Sequence, residues 1–229
     1  MGKALVTEFS RHGYDVTFQY FKSDEEASQI QAATSARAFK SDLSQPASNL
    51  DGPFDILVNN AAVNISSELI GDTELDAWNL TIAVNLTAPF ILSKKFLPHM
   101  VSQHWGRIIN ISSIYGLRAT GWNGPYNASK HGLSGLTKTI AKEYASHGIT
   151  SNEICPGPIH SNMMQRIAEE EAPAEDQTPE EYLADYAAKI PAGRFAEPAE
   201  VAALAVFLAS DEAGYLNGVS VPIDGGWIA

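Results

Sequence analysis

A tyrosine and a lysine are the residues of this chain whose spacing most directly suggests chemistry. Tyr126 and Lys130 lie four residues apart in a segment of helical period, so one turn of helix places both side chains on the same face. An ammonium group near a phenol stabilises the phenolate and lowers the pKa of the tyrosine, which makes it a usable acid or base near neutral pH. The spacing also fits a tyrosine with an incidental helical neighbour, so other motifs must decide.

Four further segments occur in a fixed order around this pair. They read DILVNNAA at 55–62, VNL at 84–86, GRIINISS at 106–113 and NEICPGPI at 152–159. Taken together, from about Gly2 to the DGG at 224–226, the chain resembles the short-chain dehydrogenase/reductase family. Within that family it is most similar to the 3-oxoacyl-(acyl-carrier-protein) reductase and 3-hydroxybutyrate dehydrogenase branches.

The resemblance implies a role for each of four residues. Tyr126 would be the general acid or base that exchanges a proton with the substrate oxygen, and Ser113 would donate a hydrogen bond to that oxygen. Lys130 would lower the Tyr126 pKa and hold the nicotinamide ribose, while Asn85 would anchor a water relay. The alternatives are structural roles without catalysis: the Ser113 hydroxyl would bond to the backbone, and the Asn85 amide would bond within its own helix. Ser112 competes with Ser113, which is preferred for its spacing of thirteen residues to Tyr126.

The implied activity is an NAD(P)-dependent oxidoreductase that interconverts a secondary alcohol and a ketone. A 3-oxoacyl compound or a similar small-to-medium carbonyl is the expected substrate. The alternative is a non-catalytic scaffold or assembly subunit that kept the fold and lost cofactor binding.

A nicotinamide cofactor is expected because no protein side chain carries a hydride. The residues that the resemblance places around it are Gly2, Lys22, Ser23, Asp42, Leu43, Asn60, Ala61, Tyr126, Lys130, Pro156, Gly157, Ile159 and Ser161. No carboxylate precedes Asp24 at the end of the second strand, where one would accept from the ribose 2′-hydroxyl and repel a 2′-phosphate. Lys22 and Ser23 could instead bind that phosphate, so NADP is preferred to NAD, unless Lys22 is only a solvated loop charge.

The elements that must position these residues alternate between strands and helices. Strands are predicted at 16–20, 36–39, 56–59, 106–111, 149–154 and 219–223, and helices at 2–11, 74–86, 89–100, 126–144 and 198–209. This order predicts an α/β fold, a Rossmann-like doubly wound parallel sheet in a three-layer αβα sandwich. We expect a single dinucleotide-binding and catalytic domain over residues 1–229.

The first strand of the family and most of its glycine-rich loop have no counterpart here, because the sequence opens at MGKAL. That strand is central in the doubly wound order, so we expect a gap in the sheet. Either the sequence begins at an internal methionine of a longer chain, or it is a variant that fills the gap differently. The crossover between Asp42 and Asp55 is also short for a βαβ unit, which favours a weakened cofactor site.

The composition argues against several classes of binding partner. The 229 residues are 45% hydrophobic and carry a net charge of −12, which argues against nucleic acid and anionic membranes. No run of ~18 apolar residues predicts a membrane span. A lone Cys155 and the lack of a Cys/His cluster predict neither a disulfide nor a metal site, and they fit the cytoplasm. The resemblance implies a small-molecule substrate and a homotetramer or homodimer built on helices 89–100 and 126–144.

Eight carboxylates and no Lys or Arg lie between Ile167 and Ala188. One interpretation is a solvated helical face. The other is a lid, at about 160–190, that covers a pocket.

Overall fold

Parallel strands and helices alternate along the residues that the computed structural model describes, 1–45 and 50–229. The strands are β1 (Thr17–Tyr20), β2 (Arg37–Lys40), β3 (Ile56–Asn59), β4 (Gly106–Ile111), β5 (Ile149–Pro156) and β6 (Ser220–Ile223). The helices are α1 (Gly2–Arg11), α2 (Asp24–Thr34), α3 (Leu75–Ile82), α4 (Ala88–Gln103), α5 (Gly124–Tyr144), α6 (Asn162–Glu171), α7 (Pro179–Lys189) and α8 (Pro198–Ala209). The predicted α/β fold with parallel strands is confirmed.

Two separate parallel sheets replace one continuous sheet among the described residues. One has the order β1-β2, and the other has the order β3-β4-β5-β6. The backbone hydrogen bonding is therefore interrupted between β1 and β3, which is where the sequence predicts a gap. Residues 46–49, in the crossover that the sequence predicts to be short, lie outside the described residues.

The apolar core lies on both faces of the four-stranded sheet. Every residue of β4 and β5 is buried, as expected for strands that are covered by helices on both sides. On one face, α1 and α8 pack against β4 and β5 through side chains such as Phe9 and Val201. On the other face, α4 and α5 contribute Phe96, Met100 and Ile140 to a second cluster. Helix α5, which carries Tyr126 and Lys130, therefore packs against the fully buried strands of this sheet.

Helix prediction was right where apolar residues recur and wrong where they do not. The bounds of α1 and α8 match the sequence prediction. Helix α2 was missed because its buried residues are Ala27 and Ile30, and the rest of the helix is polar or alanine, which leaves little apolar periodicity. The helix predicted over 74–86 is α3 followed by a π-helical segment, Ala83–Thr87, that continues into α4.

The helical run Leu75–Gln103 is long and apolar enough to meet the length and hydropathy criteria for a membrane span. Its apolar residues face the protein core, because Leu92, Phe96, Leu97 and Met100 are buried against the sheet. The run has the properties of a core helix in this fold.

The acidic segment forms helices α6 and α7 between β5 and α8. All eight of its carboxylate residues are exposed. Its apolar residues pack on one another around Ala168, Ala172 and Tyr182, which form a small core of their own. The solvated-face interpretation therefore describes one side of this segment.

Candidate active site

The four residues assigned to catalysis meet at the carboxyl end of β4. Ser113 follows that strand, Tyr126 and Lys130 lie on the first two turns of α5, and Asn85 comes from the π-helical segment before α4. Polar side chains at the carboxyl ends of parallel strands meet at one edge of the sheet, which is the usual place for an α/β active site.

The Ser113 hydroxyl lies near the phenol of Tyr126 and favours its ionised form, which lowers the Tyr126 pKa. The Ser113 Oγ accepts a hydrogen bond of 3.1 Å from the backbone N–H of Tyr115, so its own proton is free to be donated. Ser112 lies in the core, where its Oγ would be 2.7 Å from a Cβ added to Gly116. The structure thus brings Ser113, rather than Ser112, to the tyrosine.

Burial controls the acidity of the pair on α5. It raises the pKa of Tyr126 to about 12, against the hydrogen bond from Ser113, which lowers it. It also lowers the pKa of Lys130 to about 8, with the Glu153 carboxylate opposing that change. The Lys130 Nζ donates to the carbonyl of Ile111 at 2.9 Å and lies 5.5 Å from the centroid of the Tyr126 ring.

The lowered Tyr126 pKa that the sequence suggests is therefore not what the structure shows. Removing the phenol from water disfavours its ionised form more than its surroundings favour it. Lys130 faces the Ile111 carbonyl and the tyrosine ring, and it makes no hydrogen bond to the phenol oxygen among the described contacts.

Asn85 connects the site to two other parts of the chain. Its Oδ1 accepts from the Val63 N–H at 2.8 Å, and its Nδ2 donates to the Val63 carbonyl at 2.9 Å and to Ser129 Oγ at 3.1 Å. These partners are far away in sequence, so Asn85 is not an amide that bonds within its own helix. The π-helical geometry around it shifts the normal backbone pairing, a feature often found at functional sites.

A chain of buried side chains ties the sheet to the catalytic helix. Asn59 Nδ2 donates to Asn110 Oδ1 at 2.8 Å, and Asn110 Nδ2 donates to Thr137 Oγ1 at the same distance. This network crosses from β3 through β4 to α5 and satisfies polar groups that would otherwise be costly to bury. Sequence reasoning quoted both asparagines within motifs but gave them no role.

The predicted cofactor residues lie at the ends of several strands. Gly2 begins α1 beside the loop after β3, since a Cβ added there would be 3.5 Å from the Asn60 side chain. Ala61 follows Asn60, and Pro156 ends β5. Gly157 must be glycine, because a Cβ would lie 2.8 Å from the Asp224 side chain.

Other predicted cofactor residues already have structural partners. The Asp42 carboxylate accepts from the Ser44 N–H at 2.9 Å, and Leu43 packs against the cluster under β3 and β4. Ser161 caps α6 by accepting from the Met164 N–H, and Ile159 forms an isolated bridge with Ala196.

Lys22 and Ser23 line a cavity of about 620 Å³ between the start of α1 and the start of α2. Lys3, which sequence reasoning missed, lines it as well. Asp24, Glu25 and Glu26 line the same cavity. The Asp24 carboxylate binds Lys40 Nζ at 2.7 Å and the Tyr20 hydroxyl at 3.1 Å, and these partners keep the pKa of Asp24 below its usual value. The cavity therefore has two lysines and three carboxylates in its lining.

One contact joins the acidic segment to the catalytic residues. Tyr186 of α7 stacks on Trp227 with ring centroids 5.5 Å apart, and it lies near Tyr115, two residues after Ser113, which contributes to raising the Tyr186 pKa. Burial raises the pKa of Tyr186 to about 12. Sequence reasoning missed both tyrosines, although Tyr115 could have been noticed from its position beside Ser113.

Comparisons with known proteins identify the family of this chain. The family model described as enoyl-(acyl carrier protein) reductase matches residues 1–228. The D-beta-hydroxybutyrate dehydrogenase of Rhizobium meliloti strain 1021 is 41% identical over 179 residues, which are 78% of this chain and 69% of that protein. The acetoacetyl-CoA reductase of Shinella zoogloeoides is 35% identical over 236 residues, 99% of this chain and 93% of that protein.

A solved structure shares the whole fold. The blue fluorescent protein from a metagenomic library, in complex with NADPH, has a TM-score of 0.85 at 28% identity and covers 100% of this chain and 94% of its own. The predicted resemblance, including its two nearest branches, is confirmed. This chain belongs to the short-chain dehydrogenase/reductase family.

Proposed function

We propose that this chain is an NAD(P)-dependent oxidoreductase that interconverts a 3-oxoacyl compound and its 3-hydroxyacyl counterpart. The observation that carries the proposal is the grouping of the Ser113 hydroxyl, the Tyr126 phenol and the Lys130 ammonium, whose Nζ lies 5.5 Å from the centroid of the Tyr126 ring. The names of the relatives support the substrate class, since they include a hydroxybutyrate dehydrogenase and an acetoacetyl-CoA reductase.

The residues present fit a nicotinamide cofactor. Lys22 and Lys3 line the cavity and could bind the 2′-phosphate of NADP, since Asp24 in the same lining is bound to Lys40, and the N-terminus of α1 begins beside Asn60. Lys130 would hold the nicotinamide ribose, and the turn at Gly157 would meet the carboxamide. When bound, this cofactor supplies or removes the hydride at the substrate carbon.

The protein residues manage the proton and the charge. In reduction, Tyr126 gives its phenolic proton to the carbonyl oxygen, and Ser113 donates a hydrogen bond to that oxygen as negative charge develops on it. The positive charge of Lys130 stabilises the tyrosinate that remains. Asn85 would anchor the water that returns a proton to Tyr126. In oxidation the same groups act in reverse.

The segment at about 160–190 is proposed to cover the substrate. Its outer side is solvated, and Tyr186 on its inner side contacts Tyr115 next to Ser113. We also propose a cytoplasmic homotetramer or homodimer formed through α4 and α5. The half-exposed Phe90 on α4 supports such an interface. Light scattering on the purified chain measures its oligomeric state, and a monomer would contradict the proposed interface.

The test is direct measurement of binding and turnover. The purified chain should quench or shift NADPH fluorescence on binding, should bind NADH more weakly, and should oxidise NADPH when acetoacetyl-CoA is added. A folded chain that binds neither nucleotide would support the scaffold alternative. A chain that binds NADPH but reduces no 3-oxoacyl thioester would contradict the substrate class.

A further inference from the structure

A buried carboxylate that the proposed reaction does not use lies under the catalytic helix. Glu153 is on β5 and is 0% exposed. Each of its oxygens accepts from a serine hydroxyl, Oε2 from Ser134 at 2.9 Å and Oε1 from Ser220 at 2.5 Å. Two hydroxyl donors, one for each oxygen, suit the ionised acceptor form of the side chain.

Lys130 is a buried cation on α5, the helix whose Ser134 binds this carboxylate. Ser134 lies one helical turn after Lys130 and connects the two, since its Oγ is 3.2 Å from the Lys130 carbonyl and 2.9 Å from Glu153. The Lys130 Nζ binds the carbonyl of Ile111, and Glu153 pairs in register with Asn110, the preceding residue of β4. Lys130 is 2% exposed, so water screens this pair poorly.

We propose that the Glu153 carboxylate is the counter-charge that keeps the side chain of Lys130 protonated inside the protein. A buried charge needs hydrogen-bond partners and a compensating charge. Lys130 has the Ile111 carbonyl and Glu153 has two serine hydroxyls as hydrogen-bond partners, and each charge compensates the other through the low-dielectric interior. Glu153 is then a positioning residue that acts on the reaction through Lys130.

The other titratable groups around Lys130 do not carry a competing charge. The Cys155 thiol, also on β5, has its pKa raised to about 12 by burial and by Glu153, so it is neutral at physiological pH. Tyr126, on α5, is a neutral phenol there for the same physical reason. Tyr115 faces Tyr126 from the turn after β4. Glu153 accordingly opposes the lowering of the Lys130 pKa that burial causes.

A direct measurement is the titration of Lys130 in the cofactor-free chain. With lysine labelled at the ε-carbon, its NMR signal is assigned by its absence in Lys130→Met, and its midpoint is expected near pH 8. In Glu153→Gln, which keeps the shape and removes the charge, we expect the midpoint to fall by about one pH unit. Glu143→Gln, at an exposed glutamate on the same helix, is the matched control and should leave the midpoint in place.

A folded Glu153→Gln chain with an unchanged Lys130 midpoint would overturn the inference. If that variant does not fold, Ser220→Ala takes its place. It removes one of the two hydroxyl donors to Glu153 and so makes the ionised carboxylate less stable. Its midpoint should fall by a few tenths of a pH unit, and an unchanged midpoint there would also overturn the inference. Glu153→Asp, which restores a carboxylate, should recover part of the shift.

The consequence for turnover rests on the proposed function. Removing the negative charge lowers the pKa of Lys130, so the ammonium that stabilises the tyrosinate is lost at lower pH, and the alkaline limb of NADPH-dependent reduction should move to lower pH in Glu153→Gln. The two ideas can fail separately. An inactive parent chain whose Lys130 midpoint still moves would contradict the proposed function alone, whereas an active parent with an unmoved midpoint would contradict the role of Glu153 alone.

Discussion

Two parts of this molecule are built in different ways. The part that contains β4, β5 and α5 is called the catalytic half, and the part that contains β1, β2 and α2 is called the cofactor half, after the roles proposed for their residues. In the catalytic half, β4 and β5 are buried throughout and the functional side chains of α5 pack against them. In the cofactor half, the four residues of β1 are all half-buried and both ends of β2 are exposed. The cluster there has three buried members, Val6, Ile30 and Ala36.

The polar contacts differ in the same way. The catalytic half uses buried hydrogen bonds such as those of Asn110, while the cofactor half uses exposed ion pairs such as Lys40 with Asp24 and Arg37 with Asp15. Exposed pairs contribute about 0–1 kcal/mol and are weakened by salt. The comparison teaches that the residues proposed for acid–base chemistry are held in place by the fold, whereas the proposed cofactor site near α2 depends on weak surface contacts.

The largest effect is expected at the centre of the catalytic half. Tyr126→Phe keeps the ring packing and removes the acidic hydroxyl, so kcat for acetoacetyl-CoA reduction should fall by about three orders of magnitude or more. NADPH affinity should stay within a few-fold, because the change does not reach the cavity at Lys22. Steady-state kinetics and nucleotide fluorescence measure the two quantities.

The matched control for this change is Tyr144→Phe, which removes a hydroxyl at the far end of the same helix and should leave kcat unaltered. Near-parent turnover in Tyr126→Phe would show that another group donates the proton. It would also contradict the idea that the catalytic half holds the proton donor in place.

A smaller effect is expected from the same truncation made once in each half. Ile108 in β4 is fully buried in a large cluster, so Ile108→Ala should lower the free energy of unfolding by about 3–4 kcal/mol. Ile30 in α2 belongs to the small three-residue cluster, so Ile30→Ala should cost about 1–2 kcal/mol. Urea unfolding followed by circular dichroism measures both. Equal losses at the two positions would remove the distinction between the halves.

The sequence predicted the catalytic half better than the cofactor half. Buried strands are continuous apolar runs, so β3 and β4 were placed at their observed bounds from residue type alone. Helix α2 has a polar sequence with little periodicity and was missed for that reason.

The chemistry of single groups was harder to predict than their position. Tyr126, Lys130 and Ser113 were identified from spacing and resemblance, but the direction of the Tyr126 pKa was wrong because burial cannot be known from the neighbours in sequence. Glu153 was quoted within a motif as one letter among eight. Its importance depends on two serines, Ser134 and Ser220, that approach it from other elements.

The smallest effect is expected at the surface of the cofactor half. Lys22→Ala removes an exposed ammonium that faces the cavity, so NADPH binding should weaken about tenfold while NADH binding stays within about twofold. The difference arises because the 2′-phosphate is the one group that NADPH has and NADH lacks. Fluorescence titration with each nucleotide, repeated at higher salt, measures the ratio.

Lys138→Ala, at an exposed lysine on α5, is the charge-matched control and should change neither affinity. Raised salt should reduce the discrimination between the two nucleotides in the parent chain, because exposed charges are screened over about 10 Å at 0.1 M. An equal loss for both nucleotides in Lys22→Ala would assign Lys22 to a part of the site that the two share. If added salt leaves the discrimination between NADPH and NADH unchanged, the contact to the 2′-phosphate is buried. The cofactor half would then resemble the catalytic half in relying on buried polar contacts, despite its exposed ion pairs.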